Sequence, residues 1–165
     1  MKLVCKTIAT PLGSMLLAAS DAGLAGLWFE EQRHHPDASD WQAVESQRWL
    51  DQSAEEVQAY FCGQCRHFTA PRAAAWGTPF QRSVWEALMA IPWGATTSYG
   101  ALAAHLHKPR AVRAVAAAVG RNPWSIVVPC HRVLGANGSL TGYAGGLARK
   151  QDLLRREGVL IELWV

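Results

Sequence analysis

The segment that decides the fold of this 165-residue chain is residues 78–120, which read TPFQRSVWEALMAIPWGATTSYGALAAHLHKPRAVRAVAAAVG. Thr78 and Gln81 form a capping box, and Pro79 stands at the first helical position between them. The Thr and Gln side chains can pair with backbone groups that the start of a helix leaves without partners. This pattern predicts a helix that Pro92 ends. Its apolar face consists of Phe80, Val84, Leu88 and Ile91.

Two shorter helices are predicted in the rest of this segment. Ser98 can cap a helix over 99–106, and a second helix is predicted to begin at Pro109 and to end at Gly120. Two short helices joined by a few residues, with Arg110 and Arg113 on the second, are typical of a helix-turn-helix motif. Short helix pairs are also common in protein cores, so this pattern alone leaves both interpretations open.

The sequence after residue 120 predicts a buried strand, a hairpin and a last helix. Residues 125–128 read SIVV, which is typical of a buried strand, and Pro129 ends the run. Residues 133–141 predict a hairpin around the turn sequence Gly-Ala-Asn-Gly. The last helix is predicted to follow Gly146 and to end near Gly158.

The N-terminal half predicts a sheet and a helix. Short apolar runs at 3–9, 14–19 and 24–29 are separated by turn sequences, as in an antiparallel meander. Residues 41–61 predict a helix. Residues 63–76 contain a proline and show no clear period, so they are predicted to form a linker.

Charge divides the chain near Thr78. Residues 1–77 carry six Lys and Arg against nine Asp and Glu, a net charge of −3, whereas residues 78–165 carry ten against four, a net charge of +6. No acidic residue lies between Glu86 and Asp152. Such a stretch favours a surface that faces phosphates, although a solvated basic face without a partner explains it equally well. We therefore predict an α+β protein with an N-terminal sheet domain over 1–77 and a helical C-terminal domain over 78–165.

Composition and cysteine content exclude several classes of protein. Half of the residues are hydrophobic and 18% are charged, which excludes a disordered chain. No apolar run approaches the length of a transmembrane helix, so no membrane partner is expected. The four cysteines are too few and too irregularly spaced for a disulfide framework, which favours the cytoplasm. Cys62 and Cys65 resemble half of a zinc or redox site, but no second pair supplies further ligands, so no metal and no cofactor are expected.

Cys130 is the cysteine whose neighbours in the sequence indicate a chemical role. It follows the predicted buried strand and Pro129, and His131 and Arg132 come directly after it. A cationic neighbourhood favours the thiolate, which is the nucleophilic form of cysteine. Because successive side chains of a strand point in opposite directions, Cys130 and His131 can cooperate only if the chain turns after Pro129. The residues alone leave a nucleophile and a buried, inert cysteine equally open.

The sequence around Cys130, Pro-Cys-His-Arg-Val at 129–133, resembles the active-site motif of the O6-alkylguanine-DNA alkyltransferases, also called methylated-DNA–protein-cysteine methyltransferases. Further motifs stand in the order and spacing of that family. They are Thr-Pro-Phe-Gln at 78–81, Ser-Tyr-Gly at 98–100, Arg-Ala-Val at 113–115, Asn-Pro at 122–123, Gly-Tyr-Ala-Gly-Gly at 142–146, Leu153, and Glu-Gly at 157–158. Residues 1–77 match more loosely, chiefly through Thr-Pro-Leu-Gly at 10–13.

This resemblance implies a ribonuclease-H-like N-terminal domain and a C-terminal domain of winged helix-turn-helix type. It implies DNA repair by a single transfer of the alkyl group from O6-alkylguanine, and from O4-alkylthymine, in double-stranded DNA to Cys130. The thiol is not regenerated. His131, acting through a water molecule, and Glu157 are implied to deprotonate and orient Cys130, and Tyr99 to donate its hydroxyl to the departing guanine. The expected protein is monomeric and cytoplasmic, or nuclear if it is eukaryotic.

The resemblance also assigns residues that contact the DNA and the damaged base. The alkylated base must leave the duplex to be reached, and Arg113 is implied to fill the vacated stack from the minor groove. The other implied DNA contacts are Ser98, Tyr99, Arg110, Ala114, Asn122 and Arg132. The implied alkylguanine pocket consists of Asn122, Trp124, Ser125, Val133, Tyr143, Ala144 and Gly145.

Three other functions explain the sequence less completely than DNA alkyl transfer. A non-catalytic sensor of alkylated bases is disfavoured because such relatives replace the cysteine that stands here as Cys130. A Cys-His-Glu hydrolase leaves the acid-free basic stretch unexplained. A helix-turn-helix transcription factor leaves Cys130, His131 and Glu157 unexplained.

Overall fold

The computed structural model describes residues 1–159, which form two compact units. The first unit holds Met1–Trp76 together with Pro123–Val127. The second unit holds Gly77–Asn122 and the described residues that follow Val127. The first unit therefore includes a five-residue segment, 123–127, that the chain supplies from the middle of the second.

The first unit is a four-stranded sheet covered by one helix, with the strands in the order β3-β2-β1-β4. Its elements are β1 (Val4–Ile8), β2 (Met15–Ser20), β3 (Gly23–Phe29), β4 (Gln42–Ala43) and α1 (Arg48–Phe61). Every residue of β2 and β3 is buried. The rings of Trp28, Trp41 and Trp76 lie 5.8–5.9 Å apart and cover the sheet residues Leu3, Cys5 and Leu16. Two-sided burial explains why these strands are continuous apolar runs rather than alternating ones.

The antiparallel meander of β1, β2 and β3 is confirmed, but the rest of this half differs from the prediction. The sheet is mixed, because β4 pairs in parallel with β1. The helix predicted over 41–61 begins only at Arg48, because residues 42–43 extend the sheet instead. The Gln47 side chain fixes the helix start by accepting hydrogen bonds from the N–H groups of Trp49 and Leu50.

The outer edge of β3 is paired with two other segments of the first unit. The Leu24 N–H donates to the carbonyl of residue 71 at 2.7 Å, and the Leu24 carbonyl accepts from the N–H of residue 73 at 2.8 Å. Further along, the Leu27 N–H donates to the Pro123 carbonyl at 2.8 Å, and the Leu27 carbonyl accepts from the Ser125 N–H at 3.2 Å. Part of the predicted linker over 63–76 therefore extends the sheet, as does the segment 123–127.

The second unit is mainly helical. Its elements are α2 (Pro79–Leu88), β5 (Thr97–Ser98), α3 (Tyr99–His105), α4 (Val112–Gly120), a 3₁₀ turn (Cys130–Arg132), β6 (Val133–Leu134), a second 3₁₀ turn (Ala136–Gly138) and α5 (Leu147–Arg156). The indole N–H of Trp85 on α2 donates to the Ala118 carbonyl of α4 at 2.7 Å and links the two helices. Within residues 1–159, no helix has the length and the apolar character needed to cross a membrane.

Three predictions for this half are corrected. The helix predicted from Pro109 begins at Val112, after a turn in which the Ala111 N–H donates to the Lys108 carbonyl. Residues 125–128 are buried as predicted but form turns rather than a strand, because Ile126 adopts φ +71. No hairpin forms over 133–141, since β6 pairs in parallel with β5 and a 3₁₀ turn follows it.

The capping box at Thr78 is confirmed, and we expect it to stabilise α2. The Thr78 hydroxyl accepts from the Gln81 N–H at 3.1 Å, and the Gln81 side chain accepts from the Thr78 N–H at 3.0 Å. Thr78→Ala leaves the Gln81 N–H without this partner and is expected to lower the free energy of unfolding by about 1 kcal/mol. Urea denaturation measures the change, with Thr96→Ala at another exposed threonine as the control. Equal effects of the two substitutions would contradict a capping contribution.

Candidate functional site

The chain turns directly after Pro129, as cooperation between Cys130 and His131 requires. Pro129 adopts φ −80 and ψ 62, and residues 130–132 form a 3₁₀ turn in which the Arg132 N–H donates to the Pro129 carbonyl at 3.0 Å. The Cys130 N–H donates to the Val128 carbonyl at 2.8 Å. Cys130 is 6% exposed and lies within a stretch, residues 122–135, in which every residue is buried.

His131 is paired with Glu157, which directly follows α5. The distance from His131 Nε2 to Glu157 Oε2 is 2.7 Å, and both side chains are fully buried. When Glu157 is ionised its oxygens can only accept hydrogen bonds, so in that state Nε2 is the donor and Nδ1 has a free lone pair. His131 Nδ1 is buried and has no hydrogen-bond partner within residues 1–159. This arrangement makes Nδ1 an available proton acceptor.

Burial sets the protonation states of Cys130 and His131. Burial raises the pKa of the Cys130 thiol, although a hydrogen bond from Asn122 and the positive charge of Lys150 act in the opposite direction. Burial likewise lowers the pKa of His131, against the opposing effect of Glu157. The resting pair is therefore a neutral thiol and a neutral imidazole. The cationic neighbourhood that the sequence predicts to favour the thiolate thus does not outweigh the effect of burial.

Arg132 occupies a different position from the one expected of a DNA contact. Its Nε donates to Glu157 Oε1 at 2.6 Å, and its Nη1 donates to the Ile91 carbonyl at 2.6 Å. The residue is only 8% exposed. Its guanidinium therefore forms a buried ion pair with the same carboxylate that holds His131.

Lys150 is a buried residue near the site that sequence reasoning missed. It lies on α5, is fully buried, and its Nζ donates to the carbonyls of Val133, Thr141 and Gly142 at 2.5, 2.8 and 2.9 Å. Burial lowers its pKa to about 8, against the attraction of Cys130. Its position three and four residues before Leu153 and Leu154 was the available signal, because that spacing places it on the apolar face of the helix.

Tyr99, the first residue of α3, contacts the same loop. Its hydroxyl donates to the Thr141 and Gly142 carbonyls at 3.3 and 3.4 Å, and the Lys150 Nζ lies 5.8 Å from the centre of its ring. Burial raises the pKa of Tyr99 to about 12. The hydroxyl therefore stays protonated at neutral pH and remains a hydrogen-bond donor.

Asn122, which precedes the segment 123–127, is hydrogen-bonded to Val128, which follows it. It is 4% exposed, and its Nδ2 donates to the Val128 carbonyl at 2.9 Å. Within the segment, the Trp124 indole donates to the Leu24 carbonyl at 2.9 Å, and the Ser125 hydroxyl donates to Gln32 Oε1 at 3.3 Å. Trp124 and Ser125 thus belong to the first unit. The other implied pocket residues, Asn122, Val133, Tyr143, Ala144 and Gly145, belong to the second.

The predicted pair of short helices is confirmed as α3 and α4. Ser98 caps α3, since its hydroxyl accepts from the Ala101 N–H at 3.0 Å. Helix α4 buries Val115 and exposes Arg113 and Ala114 on the opposite side, and Arg110 is exposed just before it. The pair therefore presents a basic, exposed helix face, as a DNA-binding helix requires.

Cys62 and Cys65 have no further metal ligands around them. Cys62 is exposed, and the half-buried Cys65 donates its thiol hydrogen to the His67 carbonyl at 3.0 Å. In the part of the chain that the structure describes, no group of three or more His, Cys, Asp or Glu side chains is placed to hold a metal ion.

Known proteins resemble both halves of the chain. The family model of the 6-O-methylguanine DNA methyltransferase DNA-binding domain matches residues 79–159, and that of the ribonuclease-like domain of the same proteins matches residues 3–73. The methylated-DNA–protein-cysteine methyltransferase of Methanosarcina acetivorans is 44% identical to this chain, and the match covers 90% of this chain and 94% of that protein. The methylated-DNA–protein-cysteine methyltransferase of Mycolicibacterium paratuberculosis is 45% identical, and the match covers 92% of this chain and 90% of that protein.

A solved structure matches the fold of the whole chain. The crystal structure of Mycobacterium tuberculosis OGT in complex with DNA has a TM-score of 0.85 and 39% identity, and the match covers 95% of this chain and 92% of that one. This structural match agrees with the predicted α+β fold and with the family of the sequence relatives. The chain therefore belongs to the 6-O-methylguanine DNA methyltransferases, the family of methylated-DNA–protein-cysteine methyltransferases.

Proposed function

We propose that this chain, a DNA-repair methyltransferase by family, moves the alkyl group of O6-alkylguanine in double-stranded DNA onto Cys130. One observation carries the assignment of the acceptor. Cys130 is adjacent to a histidine whose Nε2 is bound by a buried carboxylate and whose Nδ1 has no partner in the described chain. A neutral thiol that such a base directly follows in the chain supports transfer of the thiol proton to that base when a substrate is in place.

The proposed reaction is one displacement at the alkyl carbon. His131 Nδ1 accepts the thiol proton through a water molecule, and Glu157 stabilises the imidazolium that forms. The sulfur of Cys130 forms a bond to the alkyl carbon as the bond from that carbon to guanine O6 breaks. The electron pair of the broken bond stays on the guanine, and the protonated Tyr99 hydroxyl donates a hydrogen bond to it.

Access to the alkyl group requires the base to leave the duplex. We propose that α4 enters the minor groove and that Arg113 fills the vacated stack, with further DNA contacts from Ser98, Tyr99, Arg110, Ala114 and Asn122. The exposed, acid-free face of α4 supports this docking. The flipped base is proposed to lie against residues of the second unit, namely Asn122, Val133, Tyr143, Ala144 and Gly145. O4-alkylthymine is the second proposed substrate.

The proposed protein acts once per molecule and as a monomer. A thioether is a stable product, and its removal would need a second nucleophile at the site. The other cysteines, Cys5, Cys62 and Cys65, all belong to the first unit, whereas Cys130 belongs to the second. The second unit thus contains no second cysteine in its described residues or in 160–165, which supports an acceptor that is not regenerated by a thiol of that unit.

Peptide mass spectrometry tests the proposal. The protein is incubated with excess duplex DNA containing one O6-methylguanine and then digested. We expect the peptide that carries Cys130 to gain one methyl group per protein molecule, with guanine restored in the DNA and no further turnover. A methyl group on another cysteine, or repeated turnover, would overturn the proposal. Repeated release of the alkyl group as an alcohol would favour a Cys-His-Glu hydrolase instead.

A further inference from the structure

We propose that Arg132 is a positioning residue that fixes the tautomer of His131 by keeping Glu157 ionised. Only the expected effect of Arg132 on the rate of alkyl transfer rests on the proposed function. The geometric basis of the inference is one carboxylate with two partners: Glu157 Oε2 is 2.7 Å from His131 Nε2, and Glu157 Oε1 is 2.6 Å from Arg132 Nε. The two contacts use different oxygen atoms, so neither displaces the other.

The charges of the three buried groups explain why the guanidinium is needed. The side chains of His131 and Glu157 are fully buried and that of Arg132 is 9% exposed, so little water reaches the carboxylate. His131 is neutral in the resting protein, because burial disfavours its charged form. Arg132, whose Nε lies 2.6 Å from Glu157 Oε1, therefore compensates the Glu157 charge before the reaction starts. A buried charge without such a partner is strongly disfavoured.

The position of the His131 ring proton depends on the charge pair between Arg132 and Glu157. If Glu157 were protonated, its O–H group would donate to His131 Nε2, and the ring proton would move to Nδ1. Nδ1 could then no longer accept a proton from the thiol of Cys130. With Glu157 ionised, Nε2 is the donor and Nδ1 is the acceptor. Arg132 thus acts on the reaction through Glu157 and His131 and need not touch the DNA or the alkylated base.

The backbone holds Arg132 in this role. Its Nη1 donates to the Ile91 carbonyl at 2.6 Å, just after α2, and this contact orients the guanidinium so that Nε faces Glu157. Glu157 itself is fixed by its own N–H, which donates to the Leu153 and Leu154 carbonyls at the end of α5. A lysine can supply the charge but cannot make both contacts in the same fixed geometry.

The first test is the tautomer of His131, read from ring ¹⁵N chemical shifts in protein labelled at histidine. The chain has six histidines, and the signal that His131→Asn removes identifies His131. We expect the Nε2–H tautomer in the unsubstituted protein and in Arg132→Lys, and the Nδ1–H tautomer in Arg132→Gln. Arg155→Gln, at an exposed arginine of α5, is the matched control and should leave the tautomer unchanged.

The second test is the rate of benzyl transfer to Cys130 from free O6-benzylguanine, which involves no DNA. We expect Arg132→Gln to lower this rate by at least about 10-fold, Arg132→Lys to recover part of it, and Arg155→Gln to leave it unchanged. If Arg132→Gln slowed transfer from duplex DNA but not from the free base, Arg132 would be a DNA contact and the inference would be wrong.

The outcomes separate this inference from the proposed function. If the unsubstituted protein has the Nδ1–H tautomer, the inference is wrong, and this result does not depend on whether Arg132→Gln folds. If Arg132→Gln folds and keeps the Nε2–H tautomer, the inference is also wrong. Failure of the unsubstituted protein to accept the benzyl group on Cys130 would instead refute the proposed function, and the tautomer comparison would still decide the role of Arg132.

Discussion

Replacing Cys130 with alanine is expected to abolish alkyl transfer from O6-methylguanine while leaving DNA binding intact. The substitution removes the only atom proposed to form a bond with the alkyl carbon. The residue is 6% exposed and small, so alanine fits the same space without crowding its neighbours. Transfer is measured as guanine restored in a duplex with one lesion, and binding as the change in fluorescence anisotropy of a labelled duplex.

Cys62→Ala is the control for the loss of a thiol, because Cys62 is exposed and lies in the first unit. It should repair the lesion to the same extent as the unsubstituted protein. Residual stoichiometric repair by Cys130→Ala would show that another residue accepts the alkyl group. Loss of DNA binding together with repair would mean that the cysteine is needed for folding or docking.

Replacing Arg113 with alanine is expected to slow repair of duplex DNA by about 100-fold or more and to leave transfer from free O6-benzylguanine nearly unchanged. Extruding a base costs a few kcal/mol, and a side chain that fills the gap offsets part of this cost only when a duplex is present. Arg113 is exposed on α4, so its removal leaves no buried group unpaired. Single-turnover rates on both substrates measure the contrast.

Arg33→Ala, at an exposed arginine of the first unit, controls for the loss of one positive charge and should leave both rates unchanged. A single-stranded substrate adds a further comparison, because an unstacked base needs no gap filler. Equal losses on the duplex and on the free base would show that Arg113 supports the site itself rather than base extrusion.

The elements that depend on local rules were predictable from the sequence. The capping box at Thr78 and the Ser98 cap use side chains within three residues of their backbone partners, so the pattern carries all the information that is needed. Helix α4 was placed three residues too early, because Pro109 is a favourable helix start but the turn over 108–111 precedes it. The resemblance to a family supplied the expected roles of Glu157 and Tyr99, which composition and spacing do not reveal.

The features that depend on distant contacts could not be predicted. The strand expected at 125–128 is instead a buried turn, because Ile126 adopts a positive φ and the backbone hydrogen bond from this run to β3, about 100 residues earlier, is that of Ser125. The family resemblance implies Arg132 as a DNA contact. Its burial against Glu157 depends on the approach of α5 to the 3₁₀ turn, which no local pattern encodes. Lys150 is different, because its spacing to Leu153 and Leu154 indicates burial, but its contacts with the carbonyls of Val133, Thr141 and Gly142 depend on the fold.

The segment 123–127 has a consequence for the order in which the chain is made. A ribosome releases the three strands of the meander early, yet the residues that pair with the Leu27 end of β3 emerge only after α2, α3 and α4 have been synthesised. The partners of Leu27 at this edge, which begin at Pro123, are therefore synthesised 96 residues after Leu27. A gene cut at residue 77 would encode a sheet without the segment that pairs with Leu27, so we expect residues 1–77 alone to be less stable than they are in the full chain.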